Sequence, residues 1–261
     1  MDIALPPAWR RIDFISDIHL QASEPATFAM WRDYLLGTPA DALFILGDLF
    51  EVWVGDDALD AGDAFAQDCV ELLLATSTRL SLHIMVGNRD FLLGEQFFAA
   101  CHARRLDDPT VLDGGDLRIA LTHGDALCLD DTAYQQFRAV SRSPQWRADF
   151  LAQPLAQRRA LAQRMRAQSE SHKRDVGGYT DVTEAAVQAQ LAKLSCQQMV
   201  HGHTHQPAVH AVAGGGMRSV LSDWDAAQQP LRGDVLRLEL LPQARCEWSR
   251  LTPATAAKPA D

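Results

Sequence analysis

The chain has 261 residues, of which 47% are hydrophobic and 22% charged, and it carries a net charge of −10. These values are ordinary for a globular protein and exclude global disorder, and the length suits one large α/β domain with room for an insertion. The acidic balance argues against nonspecific binding of nucleic acid.

The sequence also bears on the compartment. It has no uninterrupted apolar run long enough to span a bilayer, and its N-terminus lacks the basic and apolar regions of a signal peptide. Five scattered cysteines without a CxxC spacing predict reduced thiols rather than a disulfide framework. These features favour a cytoplasmic protein.

Short apolar runs alternate with helical patterns in the first half of the chain. The run at residues 41–46 is continuously apolar, which is typical of a strand buried on both faces. Strands are predicted at residues 11–16, 41–46, 80–86 and 117–121, and helices at residues 25–36 and 62–78. This alternation indicates an α/β fold.

The alternation stops after residue 121. Helices are predicted at 130–142, 144–152 and 155–173, and because the chain then returns to strand patterns, we interpret about 130–178 as a helical cap inserted into a single domain of residues 1–251. A helix beginning at 181–184 and a strand at 198–201 follow. The last predicted strands, assigned to a second sheet, are 207–212, 217–221, 235–240 and 246–251. Residues 252–261 are rich in Ala and Pro and predict a disordered tail.

Side chains that can bind metals follow five of the predicted strands. Asp48 comes directly after a buried strand and Gly47, at the edge where ligands bind in open α/β sheets. A lone Gly-Asp pair is usually only a turn, and a lone histidine is usually structural. Their joint occurrence at five strand ends predicts one two-metal site bridged by Asp48, with the further ligands Asp17, His19, Asn88, His123, His203 and His205.

The chemistry of this set points to hydrolysis at phosphorus. Carboxylate and amide oxygens mixed with imidazoles suit Mn²⁺, Fe²⁺, Zn²⁺ or Mg²⁺, and the absence of thiolates argues against a structural zinc site. Two cations about 3.5–4 Å apart would activate a water and hold a phosphoryl group for in-line attack.

These motifs carry a family resemblance. Asp17-x-His19, Gly47-Asp48, Gly87-Asn88-x-Asp90, His123 and Gly202-His203-x-His205 resemble the calcineurin-like metallophosphoesterases over about residues 11–222. The resemblance implies a sandwich of two mixed β-sheets flanked by helices. It also implies one metal held by Asp17, His19, Asp48 and His205, and a second held by Asp48, Asn88, His123 and His203.

One position departs from most of that superfamily, because Arg89 stands where a histidine usually follows Gly-Asn. With the segments 46–57, 122–128 and 201–207, this feature resembles the members that cleave the diphosphate of a UDP-linked diacylated glucosamine in lipid A synthesis, with Mn²⁺ favoured. The resemblance implies attack of a metal-activated water on the α-phosphorus. It implies catalytic roles for Asp48, Asn88, Arg89 and His123, and substrate contacts from Asn88, Arg89, Asp131, Ser169, Lys173 and His203, with Arg174 as an alternative to Lys173.

The insert is strongly basic. Residues 132–174 hold nine basic and two acidic side chains, so this segment carries +7 and the remainder −17. A basic insert either serves a specific ligand or is merely a solvated helical surface, and composition alone favours neither. By the resemblance it would cap the site and hold acyl chains. Leu151, Leu155, Leu161 and Met165 could line such a pocket or pack the helices together, and packing is favoured for most of them. Outward arginines would attract the anionic inner-membrane surface, giving a peripheral membrane protein. The oligomeric state is left open, with a monomer favoured.

Two alternatives remain at this point. The same site could serve another two-metal phosphoesterase, such as a cyclic-nucleotide phosphodiesterase or a phosphatase, although Arg89 and the basic insert speak against it. A non-catalytic binding scaffold would be expected to have lost ligands, and none is missing here.

Overall fold

A computed structural model describes residues 1–176, 181–243 and 245–258, with side chains omitted for residues 167–176. The strands, in chain order, are β1 (Asp2–Ala4), β2 (Arg11–Ile15), β3 (Ala42–Leu46), β4 (Ser81–Met85), β5 (Arg104–Leu106), β6 (Thr110–Asp113), β7 (Arg118–Thr122), β8 (Gln198–His201), β9 (Ala208–Val212), β10 (Gly216–Val220), β11 (Val235–Leu241) and β12 (Arg245–Leu251). The helices are α1 (Pro25–Gly37), α2 (Asp57–Asp60), α3 (Ala64–Ser77), α4 (Glu95–Cys101), α5 (Thr132–Ser141), α6 (Pro144–Leu151), α7 (Leu155–Val176), α8 (Glu184–Leu194) and α9 (Pro253–Ala256).

Two six-stranded sheets form the body. The first has the order β12-β11-β2-β3-β4-β5, in which β2 to β5 are parallel and β11 and β12 are antiparallel additions. The second has the order β1-β6-β7-β8-β10-β9 and also mixes parallel and antiparallel pairs. The predicted architecture of two mixed sheets is therefore confirmed.

The predicted double burial of β3 follows from its position between two apolar layers. Phe44 and Leu46 pack with side chains of both sheets, and Phe44 stacks on Phe14 at a centroid distance of 5.4 Å. Leu43 and Ile45 point the other way, into a cluster with side chains of α1, α3 and α4. Alternate residues of a strand face opposite sides, so a strand covered on both sides has no polar position.

The assignment of the last four strands to one second sheet is wrong. β9 and β10 join β8 in the second sheet, whereas β11 pairs with β2 and extends the first sheet, with Leu236 opposite Phe14. Apolar alternation identifies a strand but does not specify its partner. The short elements β1, β5, β6, α2, α4 and α9 were not predicted, because their periodicity covers too few residues.

The predicted disorder of the tail is also wrong for residues 253–258. α9 is capped by Thr252, whose hydroxyl accepts a hydrogen bond from the Thr255 amide, and Pro253 and Ala256 are buried. The composition of the tail does not reveal this apolar contact. Residues 259–261 lie outside the described part of the chain.

The helices predicted for the insert are present as α5, α6 and α7 between β7 and β8. Ser143 caps α6 by accepting from the Trp146 amide, and Pro144 occupies the first turn. Nothing in the described helices is long and apolar enough to cross a membrane. The single-domain organisation and the capping role of the insert stay predictions.

Candidate metal centre

The loops after five strands meet at one edge of the sandwich. The Asp17 amide donates to the Gly47 carbonyl at 3.1 Å, and the His19 amide donates to the Asp48 carbonyl at 3.0 Å. The Gly202 amide donates to the His123 carbonyl at 3.0 Å. These backbone bonds bring ligand-type residues that are distant in sequence to one place.

Most of the predicted metal ligands have an unusual backbone. Left-handed φ angles of 52° to 68° occur at Asp17, His19, Asp48, His203 and His205. This region costs an L-residue on the order of 1–2 kcal/mol, so the surrounding hydrogen bonds must enforce it. Five such residues in one site indicate that the fold maintains an unfavourable backbone conformation that orients these side chains.

Two glycines allow the loops to approach so closely. A Cβ on Gly87 would overlap the Asp48 carboxylate, and a Cβ on Gly47, where φ is 94°, would lie 2.8 Å from the Gly87 Cα. Any side chain at either position would therefore separate the β3 and β4 loops.

One group of donors consists of Asp17, His19 and His205. The Nε2 atoms of the two histidines are 3.3 Å apart, and His205 Nε2 is 3.3 Å from Asp17 Oδ1. The other oxygen of Asp17 accepts from the Ser16 hydroxyl at 2.6 Å and the His203 amide at 2.9 Å, whereas the buried Oδ1 accepts no hydrogen bond. An orphaned carboxylate oxygen facing two imidazole nitrogens is what a divalent cation would satisfy.

A second group lies beside the first. His123 Nε2 is 2.9 Å from Asn88 Oδ1 and 3.7 Å from Asp48 Oδ1, and His203 Nδ1 is 2.8 Å from the same Asn88 oxygen. His123 Nδ1 lies 2.9 Å from the Leu46 carbonyl, which can only accept, so Nδ1 carries the proton and Nε2 is left for a metal.

Burial and charge set the protonation of these histidines. Burial lowers the pKa of His19 to about 4 and that of His203 to about 3, which keeps both in the neutral form that binds metals. Burial also opposes protonation of His123, but the carboxylates of Asp48, Asp17 and Asp125 raise its pKa to about 9. The negative charge of the site thus attracts one proton in the absence of a cation.

The donor set fits divalent cations. The structure brings all seven predicted metal ligands together, and the ligand atoms of Asp17, His19 and His205, and those of Asp17, Asp48 and His123, lie within 4.8 Å of one another. Both triads contain Asp17, whereas Asp48 belongs only to the second. The exact division of ligands between two metals, with Asp48 as the bridge, stays a prediction.

Comparison with known proteins agrees with this geometry. The sequence profile of the calcineurin-like phosphoesterases matches residues 10–207. The chain belongs to this family. It is 46% identical over 237 residues to the UDP-2,3-diacylglucosamine hydrolase of Chromobacterium violaceum, covering 87% of this chain and 94% of the relative. It is 44% identical over 240 residues to the protein of the same name from Xanthomonas oryzae pv. oryzae, with the same coverage. A dimetal phosphatase from Danio rerio shares the fold at a TM-score of 0.51 and 12% identity, over 94% of this chain and 96% of that one.

Arg89 of this phosphoesterase lies beside the metal centre. Its backbone amide donates to Asp48 Oδ1 at 2.8 Å, and its guanidinium NH1 lies 3.2 Å from Glu51 Oε1. The side chain is only 11% exposed. The departure noticed in the sequence therefore puts a permanent positive charge next to the predicted ligands.

Sequence reasoning assigned no role to two acidic residues in the same motifs. Asp90 accepts from the amides of Gly87 at 2.7 Å and Leu49 at 2.8 Å, so it joins the loops that carry Asn88 and Asp48. Glu51 contacts both His19 and Arg89. Both residues stood inside quoted motifs, but their partners are distant in sequence and only the fold reveals them.

The predicted substrate contacts in the insert are less defined. Asp131 is half-buried and caps α5 by accepting from the Tyr134 amide at 3.0 Å. Ser169 and Lys173 lie on α7, where the side chains are outside the described part of the structure. Their contacts with substrate stay predictions.

Many basic side chains of the insert face the body. Arg138 pairs with Asp125 at 2.8 Å, Arg142 donates to the Gly87 carbonyl at 2.8 Å, and Arg159 pairs with Asp63 at 2.8 Å. Arg158 is 2% exposed and pairs with Asp57, and the guanidinium of Arg166 lies against Glu51. Much of the positive charge therefore joins the insert to the acidic body instead of facing solvent.

Proposed function

We propose that this chain hydrolyses the diphosphate bond of UDP-2,3-diacylglucosamine, giving UMP and 2,3-diacylglucosamine 1-phosphate in lipid A synthesis. The observation that carries the proposal is the convergence of the seven predicted metal ligands, with Arg89 beside them. The substrate follows from the relatives of that name, which match 87% of this chain.

The proposed cofactors are two divalent cations, with Mn²⁺ favoured. Bound there, they would supply Lewis-acid polarisation of the phosphoryl oxygens and lower the pKa of a water. Asp17, His19 and His205 would hold one, and Asn88, His123 and His203 the other, with Asp48 between them. Such mixed oxygen and imidazole donors suit Mn²⁺.

The protein's own residues orient the diphosphate. Arg89 presents a planar guanidinium that can hold two phosphate oxygens at once and stays charged at any working pH. The leaving group is a sugar phosphate whose second pKa is near 6, so its departure needs little protonation. An arginine in place of a proton-donating histidine is therefore suited to a diphosphate, whereas a cyclic ester leaves as an alkoxide that requires a proton.

The proposed location is the cytoplasmic face of the inner membrane. The free cysteines of the structure, four of them buried, suit a reducing compartment. The diacylated substrate requires access to a bilayer, and basic side chains of the insert would provide attraction to anionic lipid.

The decisive assay is turnover of UDP-2,3-diacylglucosamine in detergent micelles with and without Mn²⁺. Bis(p-nitrophenyl) phosphate and a cyclic nucleotide serve as comparison substrates. Mn²⁺-dependent release of UMP, with little turnover of the other two, supports the proposal. If the small esters are hydrolysed and the lipid is not, the protein is a two-metal phosphoesterase that acts on a different substrate.

A further inference from the structure

Glu51 is a buried acidic residue outside both groups of donor atoms. It follows Asp48 by three positions on the loop after β3, and only 6% of its surface is exposed. A buried carboxylate is costly unless several partners compensate its charge. Its partners therefore indicate its role.

The partners of Glu51 come from three different parts of the molecule. Its Oε2 lies 3.0 Å from His19 Nδ1, and its Oε1 lies 3.2 Å from Arg89 NH1. The guanidinium of Arg166 on α7 lies against the same Oε1. One carboxylate thus joins the β2 loop, the β4 loop and the insert.

Each contact has a definite consequence. The negative charge of Glu51 lies 3.0 Å from His19 Nδ1 and favours a proton on that nitrogen, which leaves Nε2 for a cation. The ion pair with Glu51 helps to fix the orientation of the Arg89 guanidinium. The charge of Arg166 reaches Glu51 only when α7 lies on the body.

From these contacts we infer that Glu51 is a positioning residue: it orients His19 and Arg89, and it makes that orientation depend on the seating of α7. The inference rests on the proposed function only for the identity of the substrate. The insert would then influence the metal centre as well, because Arg166 of α7 and Arg89 share the carboxylate of Glu51.

The test uses three variants of the full chain. Glu51→Gln keeps the shape of the side chain but removes its charge, Arg166→Gln removes only the contact with α7, and the double variant measures their coupling. Arg159→Gln is the matched control, because it is the same substitution on the same helix in an exposed pair with Asp63. Thermal unfolding of each variant verifies that it is folded.

We expect Glu51→Gln to lower kcat by about 10-fold or more, as for other groups that orient a metal ligand. Arg166→Gln lowers kcat less, and the double variant is no slower than Glu51→Gln. Hydrogen exchange of the α7 amides in the metal-free protein becomes faster in both single variants but not in Arg159→Gln. A calorimetric titration of Glu51→Gln shows weaker Mn²⁺ binding, whereas Arg166→Gln binds Mn²⁺ as the wild type does.

Two results overturn the inference. One is wild-type kcat and wild-type α7 exchange in Glu51→Gln. The second result applies if Glu51→Gln does not fold: Arg166→Gln then has the same kcat and the same α7 exchange as Arg159→Gln. Exchange and Mn²⁺ binding need no substrate, and turnover can be followed with bis(p-nitrophenyl) phosphate. A wild type that ignores the lipid would therefore refute the proposed substrate without removing this test.

Discussion

At the scale of single residues, Arg89 is the position that separates this site from most of its superfamily. The guanidinium is held by Glu51 while the backbone amide binds Asp48, so side chain and main chain are fixed together. A group fixed in this way pays little entropy when substrate binds.

Replacing Arg89 by His is expected to lower turnover of the diphosphate by at least about 10-fold, because an imidazole cannot hold two phosphates at once. Steady-state assays of the lipid substrate measure this effect. Arg89→Lys separates charge from shape, since lysine keeps the charge but lacks the planar fork. Undiminished activity of Arg89→His would refute the assigned role.

Removal of metal is expected to weaken the fold locally. The buried Oδ1 of Asp17 accepts no hydrogen bond from the protein and would gain a partner when a cation binds. Mn²⁺ at 100 times its Kd should raise the free energy of unfolding by about 2.7 kcal/mol, and EDTA should reverse the effect. Thermal melts detect the shift. Asp17→Asn should show a smaller Mn²⁺-dependent shift than the wild type, because it weakens the site of one of the two proposed cations, and a shift equal to that of the wild type would contradict the ligand assignment.

The ligand residues could be predicted from sequence because each stands in a short motif after an apolar run. Their conformations could not. Asp48 and His19 have left-handed φ angles that neither residue type requires, and these angles are imposed by backbone contacts between loops distant in sequence. Glu51 escaped prediction for the same reason, since nothing near it in sequence names Arg166 or His19 as its partner.

At the scale of elements, α7 is anchored by its first turn. Arg158 is almost fully buried, pairs with Asp57 and donates to the Val54 carbonyl. The adjacent Gly55 has a φ of 130°, and a Cβ there would overlap the guanidinium. The β3 loop is thus shaped to receive one arginine of the insert.

Arg158→Met is expected to release this anchor and leave the Val54 carbonyl without its partner, at a cost of about 1–3 kcal/mol. Amide exchange of α7 should accelerate while the strands keep their protection. Arg159→Gln again serves as the control on the same helix. Equal protection of α7 in both variants would show that the helix is held by other contacts.

Acid should act on the same anchor. A hydrogen bond from Arg158 lowers the pKa of Asp57, so the contribution is present above the ordinary carboxyl pKa and is lost as pH falls through the lowered value. Asp57→Asn should therefore show at neutral pH the lower protection factors of the α7 amides that the wild type shows in acid. Protection factors that are independent of pH in the wild type would argue against this.

The C-terminal helix α9 also has a measurable role. The Ala256 carbonyl accepts from Arg237 at 2.8 Å, and this guanidinium binds the buried Asp13 at 2.7 Å. Truncation after Leu251 removes that acceptor and exposes apolar surface of α1. We expect a lower melting temperature than for truncation after Lys258, which keeps the helix. Equal melting temperatures would refute the role.

The elements show where sequence patterns stop being informative. Helices of the insert were predicted because their composition and prolines are local signals. The division of β9 to β12 between the two sheets was not predicted. The edge of a sheet can pair with any strand of similar length, so the partner of each strand depends on the packing of the whole sandwich. α9 was not predicted because it has only four residues, and their burial depends on a tertiary contact that the sequence pattern does not show.

At the scale of the whole molecule, the charge separation seen in the sequence is largely satisfied within the chain. The segment 132–174 of the insert carries +7 against −17 for the rest of the chain, and five of its arginines contact acidic or carbonyl groups of the body. Composition could not distinguish a basic surface that packs on the acidic body from one that binds an anionic membrane, because both require Lys and Arg. Only the contacts separate the two uses.

The arginines left for a membrane are therefore few. Among the side chains that the structure describes, Arg147 and Arg164 of the insert have no hydrogen bond or ion pair with the protein. Burial and the neighbouring charges of Arg105 and Arg142 lower the pKa of Arg147. A side chain in such surroundings gains from any anion that reaches it.

Replacing both by Gln is expected to weaken binding to vesicles containing phosphatidylglycerol. At about 1 kcal/mol per basic residue near an anionic surface, the loss should be about 30-fold in affinity, and salt should weaken the wild type in the same direction. Sedimentation with vesicles measures both. Arg32→Gln is the control, because Arg32 is an exposed arginine of the body paired with Asp33. If the double variant binds as the wild type does, exposed apolar side chains of the insert, such as Val140 and Leu151, must carry the attachment. Binding would then be insensitive to salt, because burial of apolar surface does not depend on screened charge.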